Sequence, residues 1–139
     1  MKLIVLTIAK WEKSGTIIRV FIGCQWNFTI LCVQKIDKFG NVKIQVCIDF
    51  WFLNEVIKNS FSNNLSVIWD ILLNMCDFDV ISVLDLQESF TQLPIKKEDQ
   101  MKTAFIWNDI WYMFIGAPYG MKHVPAHMQW MVANALAKV

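Results

Sequence analysis

Arginine is nearly missing from this chain. Arg19 stands alone, and the rest of the 13 Lys and Arg side chains are lysine. Against 12 acidic residues the net charge is +1. That leaves no broad basic footprint of the kind free nucleic-acid binders carry. Also missing is an apolar run of the roughly 20 residues needed to span a bilayer. The longest uncharged stretch, Val20 to Gln34, is interrupted by Gln25 and Asn27. Met1 to Lys10 holds one short apolar run, LIVLTIA, with no small-residue cleavage site before charged residues arrive, which argues against a signal peptide. The cysteines Cys24, Cys32, Cys47 and Cys76 form no C-x-x-C pair. They read as small hydrophobes in a reducing compartment rather than a disulfide framework or zinc site. No repeat, low-complexity tract or linker interrupts the sequence. The expectation is an intracellular protein, cytoplasmic or nuclear, without membrane contact.

What is present is apolar and aromatic: 55% of the 139 residues are hydrophobic, and there are 7 tryptophans. This length suffices for one domain with a real core. Leu3 to Ser14 predicts a short helix stopped by Gly15 at the C′ position. FTILCVQ (Phe28 to Gln34) and VKIQVCI (Val42 to Ile48) read as two strands of a hairpin, with turn chemistry in Asp37-Lys38-Phe39-Gly40. Asp49 to Asn59 is less regular. Ser66 is a candidate N-cap for a helix to about Cys76, whose Ile68, Ile71, Leu72 and Met75 share one face and should pack on the sheet.

VISVLDL (Val80 to Leu86) then has strand length and β-branched content. Lys96 to Asp99 reads as a solvated turn. Residues 102 to 106 and Trp111 to Ile115 suggest a second hairpin around Asn108-Asp109. A last helix should start near Pro125 and bury Met128, Met131, Val132, Ala135 and Leu136. The order α, β-hairpin, α, β, β-hairpin, α predicts an α+β fold with antiparallel hairpins and packed helices.

Within VISVLDL, alternation places Ile81, Val83 and Asp85 on one face and Val80, Ser82, Leu84 and Leu86 on the other. A carboxylate among such neighbours is costly unless a metal ion or backbone N–H groups compensate it. By residue type alone, Asp85 is either a cation ligand or a cap for the turn at Gln87 to Ser89. Other candidate constellations are thinner. His123 and His127 stand four apart, but Pro125 lies between them and no Cys or carboxylate completes a zinc tetrahedron. Asp77 and Asp79 read as solvated turn residues, and Ser89 has no positioned His or acid partner.

LDLQESFTQLPIKKEDQMKTAF followed by WYMFIGAPYGMKHVPAHMQ resembles the palm of reverse transcriptases from gypsy-type LTR retrotransposons. The family pattern there is roughly LDLxSGYxQIxxxxxDxxKTAF and YEFxxMPFGLxNAPAxFQ. Upstream, VCIDFWFLNEVI is similar to CVDYRxLNxxT, and WEKSGTI is similar to an opening LLxxGxI. The motifs run in order from about Trp11 to about Met131.

The resemblance implies a fingers and first-half palm fragment: one partial domain over 1–139, about 1–60 fingers-like and about 61–139 partial palm. It implies an RNA-directed DNA polymerase, in which Mg²⁺ ions clamp the attacking and leaving oxygens of nucleotidyl transfer. By it, Asp85 and the carbonyl of Leu86 hold metal. Lys35 reaches the triphosphate, Phe90 lies under the incoming sugar, and Pro118, Tyr119 and Gly120 line the nucleotide pocket. The implied partners are an RNA/DNA template-primer and dNTP.

The chain also departs from that pattern. Gln45 and Trp51 stand where Arg is expected, Ile110 where a turn Gly is expected, and Glu88-Ser89 where the family has Ser-Gly. Arg replaced by Gln or Trp is what single-base decay of Arg codons gives, so an eroded copy is the expectation. No Tyr-x-Asp-Asp occurs. One carboxylate cannot hold two cations, so the chain alone is expected not to polymerise. The alternative is a non-enzymatic retroelement relic or co-opted domain that binds nucleic acid or a protein partner through an exposed palm face.

Overall fold

The computed structural model describes residues 2–21, 23–36, 39–58 and 68–137. Helix α1 (Lys2–Lys13) turns Ile4, Ile8 and Trp11 inward at helical spacing. It ends as expected at Gly15, whose φ is +72°. The Gly15 N–H donates to the Glu12 carbonyl (3.1 Å) and the Thr16 N–H to the Trp11 carbonyl (2.9 Å), a Schellman closure that needs the left-handed residue.

Strand β1 (Ile17–Val20) follows directly. No strand is expected here from sequence, because the four residues Ile-Ile-Arg-Val are too few to show an alternating pattern. Strands β2 (Ile30–Ile36) and β3 (Val42–Ile48) form the expected hairpin, antiparallel from Ile30 opposite Ile48 to Ile36 opposite Val42. The turn residues Asp37 and Lys38 lie outside the described residues, as does the Ser66 N-cap. The irregular stretch after the hairpin contains helix α2 (Trp51–Val56), whose Leu53 is buried.

Strands β4 (Phe105–Trp107) and β5 (Ile110–Phe114) make the second hairpin, and β5 sits between β1 and β4. Their connection is the two residues Asn108 and Asp109, at φ 48° and 61°. Both are residue types that tolerate the left-handed region, as a primed turn requires. Ile110 already belongs to β5, so the missing turn glycine costs this hairpin nothing. Residues 101–103 form a 3₁₀ turn instead of extending β4, and the solvated turn expected at Lys96 to Asp99 is a helical one, α4 (Lys97–Gln100), with Lys96, Lys97 and Glu98 exposed. Thr103 closes this corner: its buried hydroxyl donates to the Gln100 carbonyl (2.7 Å) and accepts from the Phe114 N–H (2.9 Å).

The two sheets meet at Phe28, which bridges Phe105 in parallel and donates its N–H to the Ala104 carbonyl at 3.0 Å. Around that junction the core is largely aromatic. Phe28, Phe50, Phe105, Tyr112 and Phe114 are buried with Ile8, Ile17, Ile48 and Leu53. Phe28 and Phe50 lie 5.0 Å apart by ring centroid, and Phe105 stacks on Tyr112, its partner across the hairpin, at 5.5 Å. Such tilted and offset pairs add to area burial.

Three expectations fail in the remaining parts. Residues 80–86 form neither strand nor helix, and both alternating sets of side chains are exposed. Among the described residues they have no pairing neighbour, and without one apolar β-branched sequence does not make a strand. Helix α3 (Ile68–Met75), which precedes them, therefore has no sheet to cover: Ile71, Leu72 and Leu73 are exposed. Helix α5 (Val124–Leu136) starts next to Pro125 as expected, with the proline in its first turn. It half-buries Met128 and Val132, whereas Met131, Ala135 and Leu136 are exposed. It rests by its N-terminal half on a small second cluster of Leu93, Ala117 and Val124.

Candidate functional site

The hairpin β2–β3 projects from the core and forms one wall of a groove of about 570 Å³. Lys35, Lys43 and Gln45 come from the hairpin, Thr7 and Lys10 from α1, and Glu88, Thr91 and Tyr119 from the opposite side. The register sets Lys35 directly across from Lys43. Like charges in that position repel, and an anion between them relieves the repulsion. Glu88 is the counterweight. It takes the left-handed conformation at φ 48°, unusual for a non-glycine residue, and pairs with Lys10. The Arg expected at position 45 is a half-buried glutamine that lines the groove, so the lysines carry its positive charge.

Tyr119 belongs to the turn that closes the groove. Its ring packs on Phe90 at 5.1 Å, and Phe90 in turn packs against Leu93, Ala117 and Val124. Gly120, at φ 97°, lies over the end of β3: a Cβ there would stand 3.6 Å from the Ile48 carbonyl oxygen. The preceding strand-like stretch is held by two backbone bonds, Ile95 N–H to the Ile115 carbonyl and Ala117 N–H to the Leu93 carbonyl, both 2.8 Å. Between them Gly116 presses against Thr91, where a Cβ would meet the carbonyl oxygen at 1.9 Å. Only glycine fits.

Five of the seven residues nominated from sequence thus lie together, with Pro118 buried beside Tyr119 in the same turn. Lys35 and Tyr119 line the groove; Phe90 supports Tyr119 from behind, and Gly120 shapes the turn. Asp85 and Leu86 do not join them. Both are exposed on the unpaired 80–86 segment, and the groove reaches Glu88 but not Asp85. Two divalent cations want several carboxylate oxygens on a rigid platform. Among the described residues no three His, Cys, Asp or Glu side chains converge, so the residues present do not fit a two-metal centre and a histidine-based zinc site is not formed either. His123 Nε2 is buried without a hydrogen-bond partner at the start of α5.

Sequence reasoning missed Asn54. It sits on α2, in the stretch LNEV, and bonds to the backbone of the Tyr119 turn. The signal was an Asn inside an otherwise apolar first turn and a half, where Asn is a poor helix residue without a specific partner. Among the cysteines, burial pushes the Cys47 thiol up from its ordinary value, with nearby Lys35 opposing. Arg19 lies outside the groove and pairs with Glu12, which raises its pKa further.

No model of a protein family matches the chain. Among curated proteins it is similar to two retrovirus-related Pol polyproteins of Drosophila melanogaster. The one from transposon opus is 31% identical over 113 residues, covering 80% of this chain and 11% of that protein. The one from transposon 297 is 29% identical over 104 residues, covering 74% of this chain and 10% of that protein. The chain therefore spans about a tenth of the length of these relatives.

Among solved structures, the foamy viral protease-reverse transcriptase in complex with double-stranded DNA matches with a TM-score of 0.73 at 25% identity, over 96% of this chain and 27% of that one. The protease-reverse transcriptase of prototype foamy virus matches equally well in fold, TM-score 0.73, at 23% identity over 98% of this chain and 17% of that one. The fold is a mixed α+β arrangement with antiparallel sheets that matches part of a reverse transcriptase. Among the described residues no helix is long and apolar enough to cross a membrane.

Proposed function

We propose that this chain is the fingers and partial palm of a retrotransposon reverse transcriptase, with about 1–60 fingers-like and about 61–139 palm-like. Its groove then receives the phosphates of a nucleotide or of template-primer. The observation that carries this reading is the Lys35–Lys43 pair facing Tyr119 and Thr91 across one groove. Lysine is a point charge suited to phosphate, and a like-charged pair is stabilised when an anion arrives. The similarity to Pol polyproteins over most of the chain supports the assignment. The match to a foamy viral enzyme held on DNA supports nucleic acid as the ligand class.

Polymerisation by this chain alone is not part of the reading, because among the described residues no three His, Cys, Asp or Glu side chains converge to hold the metal ions. Titration with single-stranded RNA at several salt concentrations tests the groove. Lys35→Ala should weaken binding and reduce the salt slope by about 1. Binding untouched by Lys35→Ala would remove the groove from the account. Primer extension with Mg²⁺ should give no product, and template-dependent extension abolished by Asp85→Asn would overturn the inactivity.

A further inference from the structure

We infer that Asn54 is a positioning residue for this groove. Its carboxamide clamps the turn that carries Tyr119, and so sets where the tyrosine ring stands against an incoming nucleotide. The inference rests on the reading just given for the groove. Asn54 Nδ2 donates to the Gly120 carbonyl at 2.8 Å, and Asn54 Oδ1 accepts from the Lys122 N–H at 2.7 Å. The partners are 66 and 68 residues away in sequence, so neither bond is a by-product of local chain geometry.

A primary amide is suited to this task because it offers a donor and an acceptor on one rigid plane. Aspartate would keep the acceptor and lose the donor; alanine would lose both. The clamp needs a fixed base, and α2 supplies one. Phe50 and Leu53, on either side of the first turn, are buried in the aromatic core, and the Asn54 N–H donates to the Phe50 carbonyl at 2.9 Å. What is clamped is a sharp turn in the groove wall. Gly120 is at φ 97°, and Tyr119, immediately before it, contacts Phe90 and lines the groove opposite Lys35 and Lys43. Releasing the turn would leave the hairpin lysines in place and move only the aromatic wall.

The test uses the full chain, with hydrogen–deuterium exchange of the 119–122 backbone, equilibrium dialysis of dATP, and thermal melting. Asn54→Ala should speed exchange of the Lys122 amide at least tenfold. It should weaken dATP binding about fivefold, the scale of one lost hydrogen bond. Asn54→Asp, which keeps the acceptor for the Lys122 N–H, should retain protection at Lys122 and bind with intermediate affinity.

In a Tyr119→Ala background, Asn54→Ala should change dATP affinity no further, because its effect runs through that ring. Independent, additive losses would show that Asn54 acts on general stability and would overturn the inference. So would a Lys122 amide equally protected in Asn54→Ala. If the unsubstituted chain binds no dATP, the groove reading falls while the exchange result still decides the clamp.

Discussion

Two stretches of this chain look alike on paper and differ completely in the fold. FIWNDIWYMF, residues 105–114, and VISVLDL, residues 80–86, are both rich in apolar, β-branched or aromatic residues, and both lie in or beside stretches that resemble reverse-transcriptase motifs. The first is the centre of the core, with Phe105 0% exposed; the second lies open, with Val83 87% exposed. The difference is in neighbours. Strand β5 has β1 on one side and β4 on the other, whereas residues 80–86 pair with nothing among the described residues. Strand propensity reports how well a side chain suits a pleated, half-buried surface, and the surface has to be there. The same contrast bears on the site: one wall of the groove is the paired β2–β3 hairpin, and Asp85 is left on the unpartnered stretch.

Mutation can break this contrast. Phe105→Ala should lose roughly 3–5 kcal/mol in urea denaturation, as for large aromatic truncations in cores, while Val83→Ala should stay within about 0.5 kcal/mol. A comparable loss at Val83 would mean that residues 80–86 are packed in solution, and the comparison would fail. Gly116→Ala comes next. Its Cβ would lie 1.9 Å from a backbone carbonyl oxygen that cannot rotate away, so the loss should be about 3 kcal/mol. Gly23→Ala, which has open space within 4 Å, is the matched control and should be nearly neutral.

A smaller effect is expected at Glu88, just past the unpaired stretch. Its carboxylate is the negative charge of the groove and competes with any anionic ligand for Lys10. Glu88→Gln should strengthen binding of dATP about two- to threefold, the scale of a solvent-screened charge, and the gain should shrink as salt is raised. No gain at low salt would mean that phosphate does not approach this end of the groove.

How much of this was legible beforehand depended on whether the signal was local. The helix stop at Gly15, the β2–β3 hairpin, the Asn108-Asp109 turn and the Pro125 helix start all follow from residues within a few positions of each other, and all are present. Strand β1 and the burial pattern of α3 and α5 depend on distant partners, and sequence periodicity cannot name those. The site divided the same way. Lys35, Phe90, Tyr119 and Gly120 were nominated by resemblance and do gather around one groove, whereas Asp85 and Leu86, nominated the same way, stand apart. Asn54 escaped notice because its partners, Gly120 and Lys122, lie more than sixty positions downstream.

The cysteines give the finest probe of the contrast. Cys47 is half-buried at the base of the hairpin, and its thiol is pushed up by burial; Cys76 is exposed just beyond α3. Since the thiolate is the nucleophile, iodoacetamide at about pH 8 should modify Cys76 several-fold faster than Cys47. The direction also fixes a pH dependence. A thiol that ionises less readily when folded favours the folded state only up to its ordinary value of 9.0, and that contribution is lost as pH rises beyond it. Cys47→Ser should therefore flatten the alkaline limb of the stability profile. Equal labelling of the two cysteines would place the hairpin base and the α3 segment in the same environment, which the burial of Val46 and Ile48 on either side of Cys47 argues against.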